Sequence, residues 1–215
     1  MSETDSFIEE VSEEVRRDKL FALFRRYGWI GIAGIVGIVG AAAFLEWQRA
    51  RNDAEARAFG DAVLGAVSAD ADPGAALEAI AATGARDGIR KLLLAADRIE
   101  AGDRAAARAL LEAVADDPAQ PESLRQLARL KAVIVAGPDL APAERDAALA
   151  GLAQAGAPYR LLALEQQALA LVEAERPDAA ITLAREILAS ADVTPDLRRR
   201  AAELIVALGG EADAS

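Results

Sequence analysis

Along a chain of otherwise interleaved apolar and polar positions, one stretch stands apart: YGWIGIAGIVGIVGAAAFL, Tyr27 to Leu45, 19 residues without a charge. As a helix rising about 1.5 Å per residue it reaches roughly 28 Å, close to the hydrocarbon thickness of a bilayer, about 30 Å. Tyr27 and Trp29 stand at one end, Phe44 and Trp47 at the other, where amphipathic rings favour the headgroup level. The pattern predicts an uncleaved transmembrane helix over 27–45. A cleaved export signal could use Ala41, Ala42 and Ala43 as its small-residue site. The residues before the stretch carry seven acids, however, unlike the short basic start of such a signal. A buried helix of a soluble protein is the third reading.

Glycines recur at 28, 31, 34, 37 and 40. A helix turns every 3.6 residues, so a period of three drifts around the cylinder and builds no single groove. Ala33, Gly37 and Ala41, with Gly40 beside them, do share a face at the spacing of small-residue helix contacts, and they are the candidate membrane helix contact. Arg16, Arg17, Lys19, Arg25 and Arg26 precede the span, whereas only Arg49, Arg51 and Arg57 follow closely. Basic residues are retained on the cytoplasmic side, which places the N-terminus there and the rest of the chain across the membrane.

Residues 1–26 read as an amphipathic cytoplasmic leader. Ser6 and Glu9 fit a capping box ahead of Phe7, Val11 and Val15. The leader is either a solvated lead-in to the span or a docking surface. Residues 46–72 continue as a polar helix to about Ser68, a stalk or the first helix of the exported part, until SADADPG ends it. The eight prolines all fall where helices start or loops run; Asp72-Pro73 and Thr194-Pro195 read as an N-cap followed by the first helical residue.

From 73 to 210 the apolar pattern repeats. LLLAADRIEAGDRAAARALLEAV laid over LALEQQALALVEAERPDAAITLAREIL pairs small residues twelve apart, Ala95 with Ala107 and Ala168 with Ala180. Between them Ala128 and Ala148 are twenty apart, implying an extra loop around Gly137 to Pro142. Lead alanines at 95, 128, 168 and 202 step by 33, 40 and 34 residues, and 195–208 reads as a closing helix. This is similar to the tetratricopeptide repeat, a 34-residue helical hairpin. Lys91 and Arg98 stand where such repeats have aromatics. A nonrepetitive helical bundle is the alternative. Residues 211–215 are expected to be a frayed tail.

Composition agrees with an all-α chain: alanine dominates, aromatics make up 4%, and β-branched runs are scarce outside the span. There is no cysteine and no histidine, which removes disulfides, thiolate and imidazole chemistry and the usual zinc ligand sets. Net charge is −11, so nucleic acid would bind against the field. No phosphate-cradling glycine loop or nucleophile elbow appears, and acid pairs such as Glu9-Glu10, Glu13-Glu14 and Asp116-Asp117 are sequence neighbours that diverge around a helix or sit in a loop. No catalytic, cofactor-binding or metal site is expected. The repeat phase assigns a candidate polypeptide groove: Leu92, Ala96 and Ile99 from the first hairpin, Arg125, Arg129 and Val133 from the second, Glu165, Leu169 and Val172 from the third. Many of its apolar members would serve equally as core.

The order of parts, a charged leader ending in RRYGW, a glycine-rich span, EWQRARNDAEARAFGDAV and degenerate repeats with EAGDRAAARALLEAV, resembles the ancillary subunit of the bacterial SecYEG translocon and its tetratricopeptide-like relatives. That resemblance implies a noncatalytic single-pass inner-membrane protein whose periplasmic repeats work beside the translocon with chaperones or emerging polypeptides. An inner-membrane scaffold for cytochrome maturation or cell division would use the same parts.

Overall fold

A computed structural model describes residues 3–68 and 72–211, with side chains from Trp29 onward. All regular structure among them is helical. The chain divides into two compact units, Met1–Ala58 and Phe59–Ser215.

Helix α1 (Glu3–Val67) supplies the first unit. It corrects the expected leader: the helix already runs at Glu3, so Ser6 lies inside it and is no N-cap, and no break separates leader from span. Acids at 3 and 5 suit the positive end of the helix dipole, which favours this earlier start. The leader's candidate docking side chains lie outside the described residues. From Trp29 to Ala58 every residue is exposed. An 18-residue window of α1 has a mean hydropathy of 1.9 with none of it buried, so the helix is long and apolar enough to cross a bilayer. At its other end Ser68 Oγ donates to the Leu64 carbonyl at 2.7 Å, turning the chain out of the helix.

The second unit contains the end of α1 and eight further helices among the described residues: α2 (Pro73–Glu78), α3 (Ala85–Glu100), α4 (Arg104–Ala115), α5 (Glu122–Ala136), α6 (Pro142–Leu152), α7 (Arg160–Glu173), α8 (Pro177–Leu188) and α9 (Pro195–Ala207). The start signals read from sequence operate. Asp72 accepts from the Ala75 N–H at 2.9 Å, and Thr194 accepts from that of Leu197, each with proline at the first helical position. The extra loop is present as a 3-10 turn, Gly137–Asp139, after α5.

Each helix from α3 onward packs on its sequence neighbours, and α3 also meets α5. The core is accordingly a string of small clusters. Ala66, Leu77 and Leu94 join the end of α1 to α2 and α3; Ala95, Ala107, Leu111, Ala132 and Val135 join α3, α4 and α5. Leu130, Val133, Leu149, Leu152 and Ala163 join α5, α6 and α7; Leu164, Ala184, Ile187, Leu197, Ala201 and Ile205 join α7, α8 and α9. Lead alanines 95, 128 and 168 and their partners 107 and 180 are buried as anticipated. At two places the buried position is one residue off: Leu149 in place of Ala148, and Ala201 in place of Ala202.

The pair α3–α4 matches α7–α8 at a distance of 73 residues. Helix ends 100 and 115 become 173 and 188, and buried 95, 107, 111 and 114 become 168, 180, 184 and 187. The turn matches too: Gly102 has φ +81° and Glu175 has φ +57°, each followed by a residue whose N–H reaches back five residues. Glycine is at ease there, and Glu175 is the one non-glycine with positive φ among the described residues.

Candidate functional site

The apolar part of α1 offers a continuous exposed surface, with Trp29 67% and Ile38 72% exposed. Ala33, Gly37 and Ala41 lie open on it, and a Cβ placed on Gly37 meets nothing within 4 Å. At its far end Phe44 and Trp47 hold their ring centroids 6.0 Å apart, and Arg51 sits 6.0 Å from the Trp47 ring while bonding Glu55 at 3.1 Å. An aromatic pair backed by a guanidinium suits the boundary between hydrocarbon and headgroups.

The candidate groove residues meet different fates. Ile99 and Leu169 are 43% and 41% exposed, Ala96 is exposed and Val172 half-buried. Leu92 is half-buried against the clusters of Ala95 and of Val114. Val133, 6% exposed, belongs to the core among Leu130, Leu149 and Ala163, so it lines no groove. The exposed residue is its neighbour Ile134, because one position turns a helical side chain by about 100°.

The two groove arginines also have partners inside the fold. Arg125 donates from Nε to the Ala115 carbonyl at 3.3 Å and from Nη1 to Glu122 at 2.9 Å; Arg129 reaches the same carbonyl at 3.4 Å and Asp116 at 3.6 Å. Ala115 ends α4, so these cations satisfy a terminal carbonyl at the negative end of a helix dipole. Arg104, at the start of α4, returns the arrangement by donating to the Val135 carbonyl near the end of α5 at 3.0 and 2.5 Å. The reciprocal caps fix α4 and α5 antiparallel. Seventy-three residues beyond Arg125, Arg198 donates to the Leu188 carbonyl, the end of α8, at 3.5 Å. The sequence signal was available in the matching Leu124-Arg125 and Leu197-Arg198, which enter their helices at corresponding places. Glu165 forms a bidentate pair with Arg200 at 2.6 and 2.9 Å, tying α7 to α9.

At the two positions where tetratricopeptide repeats carry aromatics, ion pairs stand: Lys91 bonds Asp87 at 2.9 Å, and Arg98 bonds Glu78 of α2 at 2.6 Å. Burial alone would raise the Asp87 carboxyl, but hydrogen bonds from Arg90 and Lys91, with their charges, hold it below its ordinary range. Asp117 is lowered by hydrogen bonds from Gln120 and the Ala119 N–H, so this acid organises a turn.

The second unit carries concavities between its helices. A cleft of about 650 Å³ lies between the α6–α7 and α8–α9 connections, lined among others by Pro158, Tyr159, Leu162, Asp192 and Leu197. A pocket of about 270 Å³ lies among α6, α7 and α8.

No protein-family model, curated protein or solved structure matches this chain.

Proposed function

We propose that the chain is a membrane-anchored, noncatalytic holder of polypeptide, with α1 as a single-pass anchor and the helices of the second unit stacked as tetratricopeptide-like hairpins. The observation that carries this reading is the pairing of an exposed apolar stretch of α1 with a string of small shared clusters. Such a string is how repeat arrays bury a core, since each hairpin covers its apolar face only against its neighbours. The 73-residue correspondence of α3–α4 with α7–α8, two hairpin periods, supports the same reading.

The order of parts and the basic residues before the span favour an inner-membrane accessory of the SecYEG translocon, with its N-terminus cytoplasmic and its repeats periplasmic, holding chaperones or emerging chains. Photocrosslinking in native membranes from positions 96, 99 and 169, followed by identification of the captured proteins, tests this. Translocon channel subunits and periplasmic chaperones are the expected partners. A cytochrome-maturation or cell-division complex without them would replace the proposal with the assembly-scaffold reading. Protease added to sealed inverted vesicles should remove only the N-terminal segment; digestion of the repeats instead would reverse the topology.

A further inference from the structure

The pocket of about 270 Å³ has an unusual balance of groups. Its walls include Ala170, Leu171 and Leu183, and its polar members are Arg145, Gln167 and Arg176, with Asp146 the one acid in the lining. The side chain of Arg145 is only 13% exposed; one terminal nitrogen bonds Glu173, while its Nε is buried without an acceptor. A buried donor left unmade costs on the order of 1–3 kcal/mol, and more when charged. Arg176 is exposed, and its guanidinium makes no hydrogen bond or ion pair among the described residues; the same holds for the Asp146 carboxylate. The Nε itself is closed to a ligand, so the groups that can face this space with apolar walls are the Arg176 guanidinium, the remaining terminal nitrogen of Arg145 and the Gln167 amide, with Asp146 as the single opposing charge.

We propose that this pocket binds a carboxylate on a short aliphatic stem. The two arginines and Gln167 supply donors, and guanidinium is suited to a planar carboxylate. Leu171, Leu183 and Ala170 take the stem. At about 30 Å³ per liquid water, this volume corresponds to roughly nine waters, room for a small acid with a short stem. The chemistry fits a polypeptide's C-terminal residue or an internal acidic side chain. None of the candidate groove residues lines this pocket, so the proposal does not depend on the stacked-hairpin reading or on the translocon.

The full chain in detergent micelles, titrated with isovalerate, isovaleramide and chloride while its thermal midpoint is followed, tests the assignment. Isovalerate should raise the midpoint in wild type and lose at least three-quarters of that shift in Arg176→Gln, an exposed position whose side chain holds no part of the fold together. An equal shift from isovaleramide or chloride, or an undiminished shift in Arg176→Gln, overturns it. The same holds if isovalerate gives no shift in wild type. Peptides ending in leucine with a free or an amidated terminus, and an amidated peptide with an internal glutamate, then separate the two sources by which of them competes with isovalerate.

Discussion

At the scale of single residues, Gly88 has no room for a side chain. A Cβ there would stand 2.3 Å from Gln120 Oε1 and 2.6 Å from Leu124 Cδ2. Gln120 cannot swing aside freely, because its Nε2 donates to the Gly84 carbonyl at 3.1 Å and to Asp117 at 2.9 Å. Gly88→Ala should therefore destabilise the second unit by about 1–3 kcal/mol, measured by urea unfolding of the full chain in detergent, and Gln120→Ala added to it should recover part of the loss. Nothing in the sequence announced this contact, since a glycine inside a helix does not reveal a neighbour 32 residues away. Asp87 makes a second prediction. Its lowered folded pKa stabilises the fold fully above the ordinary value of 3.8, and that contribution disappears as pH falls through the lowered value. Asp87→Asn should be less stable than wild type at pH 7, and the two should converge below pH 3.8; a constant gap across that range would remove Asp87 from the acid limb.

Among elements, helix existence was legible and helix faces were less so. The Thr194 N-cap and the proline at the first helical position placed α9 closely, 195–208 expected and Pro195–Ala207 found, because these signals act within a turn of the chain. Val133 was misassigned, since facing depends on which neighbour a helix meets and one residue turns it by about 100°. The roles of Arg125 and Arg129 were hidden for a related reason: a charge on a helix face looks solvated until the end of another helix is brought to it. Replacing both with alanine should cost about 1 kcal/mol by leaving the end of α4 uncapped, readable as a lower thermal midpoint with helix content unchanged in the folded state. For α1, Ile38→Arg places a charge at mid-span and should cost about 2.5–3.5 kcal/mol of insertion; carbonate extraction of membranes should release more of the variant than of wild type.

For the whole molecule, the length and apolarity of one stretch made a helix able to cross a membrane legible in the sequence, while of the residues drawn from repeat phase Ala96, Ile99 and Leu169 are exposed, Leu92 and Val172 are half-buried and Val133 lies in the core. The rest was illegible because alanine at a helix crossing serves equally well in many bundles, and which crossings occur depends on the neighbours each helix meets. The string of three-helix clusters has a mechanical consequence. With no single centre of cohesion, load applied across the second unit is carried by one helix contact after another, so it yields in small steps.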